Sequence, residues 1–248
     1  MLTASTVFAS FLALSTVAVA IPARRADDPG PNSGIDPQGI FGYGTVPISW
    51  DLPTDLNNPS AGTITVTGTV QEAVAAMEAA YPGWNATFQS KLPAPTAEQQ
   101  EDGDDTSDLG LFSFPTRESF TCDLPYVQAS KRMIWDGIRY LRTLSGSAKN
   151  GPGSPGRGNC GRVSCSWSAA IWWCNDVGFV VCGVDLWKIT NSDETQNNFE
   201  KEVGWNDIAD GAEFLCRSDC VHRKKDVLGQ VFYTDKWNVI VRHDQNNC

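Results

Sequence analysis

Histidine occurs only twice in the 248 residues, methionine three times, and cysteine not at all before Cys122. With two histidines and no C-x-x-C pair, the chain has too few spaced nitrogen and sulfur ligands for a zinc centre, so no metal and no cofactor is expected. Positive charge is short as well: 19 Lys+Arg stand against 29 Asp+Glu, a net charge of -10. Proteins that grip polyanions by charge carry a basic face. The only basic clusters here are Lys131-Arg132 and Arg223-Lys224-Lys225, so no nucleic-acid partner is expected. Long apolar runs are missing beyond the N-terminus. There Val7 to Val19 is diluted by Ser and Thr and falls short of a bilayer span, and no hydrophobic tail precedes Cys248, so no membrane span is expected. No G-x-S-x-G elbow, H-E-x-x-H helix or P-loop occurs. Gly151-Pro152-Gly153-Ser154-Pro155-Gly156 spells a G-x-G-x-x-G, but it follows a helix and its prolines lack the N–H donors that a pyrophosphate needs, so it reads as a loop.

What is present points outward from the cell. Residues 1–20 carry no charge, are apolar in the middle and end Ala18-Val19-Ala20, the pattern of a signal peptide. Arg24-Arg25 then offers a dibasic cut, so 21–25 read as a propeptide. An even number of cysteines in an exported chain implies a disulfide framework. Its members are Cys122, Cys160, Cys165, Cys174, Cys182, Cys216, Cys220 and Cys248. Counting leaves the pairing open, although Cys216 and Cys220, four residues apart on a continuing helix, are poorly placed to bond each other and are expected to join different strands. Asn85-Ala86-Thr87 is an N-glycosylation acceptor. The expectation is a secreted, extracellular, monomeric glycoprotein.

Composition divides the mature chain in two. Residues 26–110 are rich in Pro, Gly and acidic residues, and 27–62 read as linker. A weak strand at 63–69 leads into a helix from Thr69 to Ala80, capped by Thr69 and Glu72 and stopped by Pro82-Gly83. The acidic run Glu101 to Asp105 marks a second linker, since it lacks the ligand spacing of a calcium loop. Residues 111–248 form the cysteine-rich domain. A long amphipathic helix is expected over 126–144 and strands over 162–167, 170–174 and 177–187. A helix over 206–218, with Asn206 as its cap, and a hairpin of 229–233 with 237–242 complete the order. Helix, strands, helix, strands indicates an α+β fold: a two-layer sandwich with an antiparallel sheet, two helices packed on one face, and disulfide staples.

Among the nine tryptophans, Trp172-Trp173 are candidate partner or glycan contacts, because adjacent strand residues face opposite sides and one of the two should look outward unless an N-terminal segment covers it. Asp207, Asp210 and Glu213 recur at i, i+3, i+6 on the second helix; they could supply paired carboxylates for glycoside chemistry, and an exposed polar helix face accounts for them equally well. His222, beside Arg223-Lys224-Lys225, reads as loop or anion contact. His243 and Asp244 are strand neighbours that point apart and so do not make a dyad. No residue set names a reaction, and the catalytic residues are unknown.

The block Cys160-Gly161-Arg162-Val163-Ser164-Cys165-Ser166-Trp167, followed by Ile171-Trp172-Trp173-Cys174-Asn175-Asp176, resembles a family of small secreted cysteine-rich fungal proteins regarded as candidate effectors. Gly151-Pro152-Gly153, Ile208-Ala209-Asp210-Gly211-Ala212 and Trp237 to Arg242 fit the same likeness, which covers about residues 120–248. The resemblance implies a virulence-related or cell-death-modulating protein that acts by binding a host or competitor protein, and it carries no catalytic residues. Cys182 and Cys216 are additional to the six cysteines of that pattern, which implies a Cys182–Cys216 bridge. A cell-wall glycan-binding protein and a small hydrolase using Asp or Glu are the alternatives.

Overall fold

The computed structural model describes residue 40 and residues 43–95, 117–151, 158–177 and 200–244. The expected signal peptide, the propeptide, the acidic run, the G-x-G-x-x-G loop, most of the strand expected over 177–187, Cys182 and Cys248 lie outside these. Among the described residues are four α-helices and three sheets.

The first sheet has six strands. In spatial order they are β1 (Gly44–Thr45), β7 (Asn159–Ser166), β8 (Ala169–Asn175), β13 (Trp237–His243), β12 (Gly229–Tyr233) and β4 (Arg117–Thr121). All neighbours pair antiparallel except β1 with β7. Val163, Ile171, Trp173, Val231, Val239 and Val241 from these strands are buried in one cluster with the helices. The alternation of apolar residues along β13 places Val239 and Val241 in this cluster and Ile240 in a second one, as the period of a strand requires.

Helix α1 (Val70–Ala80) starts with the expected capping box: the Glu72 N–H donates to Thr69 Oγ1 at 3.3 Å and the Thr69 N–H to Glu72 Oε2 at 2.7 Å. Val70, Ala73, Val74 and Met77 form its buried stripe. A second short helix, α2 (Trp84–Lys91), follows directly, where the sequence suggested only one. Helix α3 (Lys131–Thr143) is shorter at its start than expected, because Ala129–Ser130 pair as strand β5. It buries Ile134, Ile138 and Leu141 against β7 and β8. Helix α4 (Trp205–Arg217) begins one residue earlier than expected, with Gly204 at its cap while Asn206 lies exposed inside the first turn. Gly211 lets α4 approach β13: a Cβ there would lie 2.8 Å from Val239 Cγ2 and 2.9 Å from Tyr233 Oη.

Within the stretch read as linker over 27–62, the described residues 43–62 instead carry strands that join both parts of the chain. Strand β2 (Ser49–Pro53) pairs with β3 (Thr63–Thr67) and with β6 (Ser147–Asn150), and β6 pairs with β9 (Lys201–Gly204), giving a four-stranded sheet built from both parts of the chain. Ile48, Trp50 and Leu52 are buried in the main cluster. Trp50 stacks on Trp205 with ring centroids 3.9 Å apart. A one-in-two pattern of buried side chains is present in Ser49-Trp50-Asp51-Leu52, but the surrounding Pro, Asn and Asp masked it.

The third sheet is small: β10 (Val221–His222), β11 (Asp226–Val227) and β5. Cys122, just past β4, bonds Cys220, which lies beyond the end of α4, across a sequence separation of 98. Cys160 bonds Cys174, its cross-strand neighbour in β7 and β8. Cys165 is also disulfide-bonded. Cys216 is corrected from the expected framework, and with it the Cys182–Cys216 bridge: it is a buried free thiol. The cause is helical phase. Cys216 turns into the core with Ala212 and Leu215, while the helix ends at Arg217 and frees Cys220 to reach Cys122.

Candidate functional site

Trp172 and Trp173 do face opposite sides of the sheet, but neither reaches the surface. Both are 0% exposed, which corrects their role as contacts for a partner or glycan. Trp173 belongs to the helix-side cluster, and Trp172 to a second cluster on the other face with Ile40, Cys160, Cys165, Cys174 and Ile240. Ile40 and Tyr43, from the N-terminal part of the chain, help cover it.

Around Trp172 lies a buried ionic group. Its indole N–H donates to Asp244 Oδ2 at 3.1 Å, and Arg162 Nη1 donates to the same oxygen at 3.3 Å. Arg242 Nε lies 2.7 Å from Asp244 Oδ1, out of line for a hydrogen bond, and its guanidinium sits 4.2 Å over the Tyr126 ring. Asp244 is thus held by arginines and Trp172 and not by His243, consistent with the two neighbours pointing apart.

The residue that faces solvent is Trp167. It is 81% exposed, the most exposed large hydrophobic residue among those described. Ser166 and Ala169 close the β7–β8 hairpin as a pair, and the two residues between them, Trp167 and Ser168, have φ of 49° and 63°. A two-residue hairpin of type I′ requires both central residues in the left-handed region, where Asn and Gly are the usual occupants and a bulky residue is strained. The turn is firmly held. The Asp244 N–H donates to the Ser168 carbonyl at 2.8 Å, which ties it to the buried ionic group, and the Cys160–Cys174 bond staples the base of the hairpin. Farther along β7 a bulge between Arg162 and Ser164 turns Val163 and Ser164 toward the helices. Gln71 of α1 braces it, donating to Ser164 Oγ at 2.9 Å and accepting from the Cys165 N–H at 3.1 Å. The sequence reading extended a strand through Trp167, since Ser-Trp-Ser-Ala lacks the Asn-Gly mark of such a turn.

The carboxylates proposed for hydrolysis are engaged elsewhere. Asp210 Oδ1 and Glu213 Oε2 both accept from Arg142 Nη2, at 2.5 and 2.6 Å, and Glu213 Oε1 accepts from Arg217 Nε at 3.0 Å. Burial alone would pull the Arg142 guanidinium down, but its hydrogen bond to Glu213 and the charge of Asp210 hold it above its ordinary value. These contacts pin α3 to α4. Asp207 is exposed in the first turn of α4. His222 pairs with Asp226 in the β10–β11 ladder, and its buried Nε2 has no hydrogen-bond partner among the described residues. Asn85 is half-buried in the first turn of α2, where its Oδ1 accepts from Gln89 Nε2 at 3.2 Å.

Among the described residues, no group of three or more His, Cys, Asp or Glu side chains is placed to hold a metal ion, and no helix is long and apolar enough to cross a membrane. Searches against protein-family models, curated proteins and solved structures gave no match to the chain.

Proposed function

We propose that this is a secreted, monomeric, non-catalytic binding protein of the kind of the fungal candidate effectors its sequence resembles, and that it engages its target through the hairpin tip carrying Trp167. The disulfides are consistent with an oxidising, extracellular setting. The single observation that carries the reading is Trp167 itself: an indole left in solvent, on a backbone that costs energy to hold, at the end of a stapled hairpin. Strain of this kind persists where surrounding structure over-determines it, and it clusters at ligand contacts. In this reading the sheet and the helices on its inner face form a two-layer scaffold that presents the tip, and the target is a host or competitor protein or a cell-wall glycan. The glycan is favoured by the exposed flat indole, whose face suits stacking on a sugar ring.

The test is infiltration of the mature, disulfide-bonded protein into the leaf apoplast beside its Trp167→Asn variant. Cell death or altered defence that Trp167→Asn abolishes, with melting temperature preserved, supports the reading. An undiminished response with the variant overturns it, as does a response abolished by Asp207→Asn and untouched by Trp167→Asn, which would favour the hydrolase.

A further inference from the structure

The chain's two basic clusters, far apart in sequence, meet at the end of the sheet that bears Trp167. Arg223-Lys224-Lys225 form the loop between β10 and β11, and Lys131-Arg132 open α3. Pairing of Val227 with Ala129 and of Asp226 with Ser130 lays the two segments side by side, and the Lys131 N–H donates to the Lys225 carbonyl at 2.7 Å. Arg132, Arg223, Lys224 and Lys225 are exposed. Strand β5 packs on β8 and β13, and the His243 N–H donates to the Val127 carbonyl while its neighbour Asp244 bonds Ser168 in the Trp167 turn. Acidic residues described at this end include Asp123 and Asp219, exposed, Asp226, half-buried, and Asp244, buried beside Arg162 and Arg242, and Lys224 and Lys225 take part in further contacts of their own.

Backbone strain converges on the same end. Five described residues other than glycine have positive φ: Trp167, Ser168, Arg223, Lys224 and Lys236. All but Lys236 lie here, in the two loops that present the indole and the cations. Neither loop uses the glycine or asparagine that would relieve it. A fold that needed only turns would not place a tryptophan, an arginine and a lysine in those positions.

We propose that this end binds a polysaccharide that carries carboxylates on its sugars, with Trp167 stacked on a ring and Arg132, Arg223, Lys224 and Lys225 facing the acid groups. The proposal rests on the reading above that Trp167 is the contact, and it adds the chemical class of the target. The apolar surface here is one indole and Val127, enough for the face of a sugar and small for burial in a bilayer. The overall acidity of the chain does not prevent this, because exposed charges beyond about 10 Å are screened at physiological salt and the local cluster governs.

Retention of the full protein would be measured on immobilised polygalacturonate, on neutral β-glucan, chitin and cellulose, and on vesicles with and without phosphatidylserine. The expected result is retention on polygalacturonate that weakens as salt rises, is roughly tenfold weaker in Trp167→Asn, and is similarly weakened in Arg223→Gln/Lys224→Gln. Equal retention on neutral glycans, unaffected by the charge substitutions, overturns the acidic-glycan proposal and leaves the Trp167 reading standing. Retention only on anionic vesicles overturns it in favour of a membrane. Absence of retention on every polysaccharide, with a leaf response that still depends on Trp167, overturns it in favour of a protein target.

Discussion

Trp167 pays twice for its position, once in backbone strain and once in apolar exposure, so its replacement should separate stability from binding. Trp167→Asn fits the left-handed turn and is expected to raise stability by up to about 1 kcal/mol, read as a higher melting temperature, while target binding falls. Cys216 behaves in the opposite way. Its thiol is buried, and that burial, ahead of nearby charges, pushes its pKa well above the ordinary range. Thiol reagents should modify Cys216 only after denaturant is added, as mass mapping of the labelled peptide would read. Asp176 illustrates a third case. It accepts hydrogen bonds from Tyr43 Oη and Asn238 Nδ2, both at 2.6 Å, yet desolvation raises its carboxyl above the ordinary aspartate value. A raised carboxyl holds its proton more tightly when folded, so its share of stability is complete below the unfolded value and is lost as pH climbs through the folded one. Asp176→Asn keeps an oxygen for both donors and removes the buried charge. Its melting temperature relative to wild type is expected to rise from acid to neutral pH; a constant difference would refute this.

At the level of elements, the seam between α3 and α4 depends on Arg142. Replacing it by Met leaves Asp210 without its cation and Glu213 with Arg217 alone, on side chains that are mostly buried. A loss of about 2 kcal/mol in chemical denaturation is expected, between the values for surface and buried pairs. Periodicity made α1, α3, α4 and the final hairpin legible in the sequence, because their apolar stripes repeat strongly. It did not reveal β2, whose four-residue alternation is embedded in turn-forming residues, nor the cap of α4, where Gly204 precedes the Asn206 that looked better suited. Opposite facing of Trp172 and Trp173 was legible from the strand period alone. Their burial was not, since it depends on Ile40, Tyr43 and the Arg–Asp group, which sequence distance hides.

For the molecule as a whole, net charge proved a weaker guide than charge placement. The chain is acidic, yet pairing of β5 with β11 gathers its two basic clusters at the end of the sheet that carries the most exposed aromatic residue, and no count of Lys and Arg could show that. Disulfide arithmetic failed similarly: eight cysteines suggested four bridges, but one thiol lies inside a helix-packed core. The N-terminal strands belong to that same core, docked through Trp50 on Trp205. Two indoles in parallel contact, with planes 13° apart, couple their electronic transitions, so this junction should announce itself optically. A near-ultraviolet circular-dichroism contribution from this fixed indole pair is expected in the native protein and should be lost in Trp50→Phe. Followed during refolding, that signal would time the moment when the two parts of the chain close on each other, with no added label.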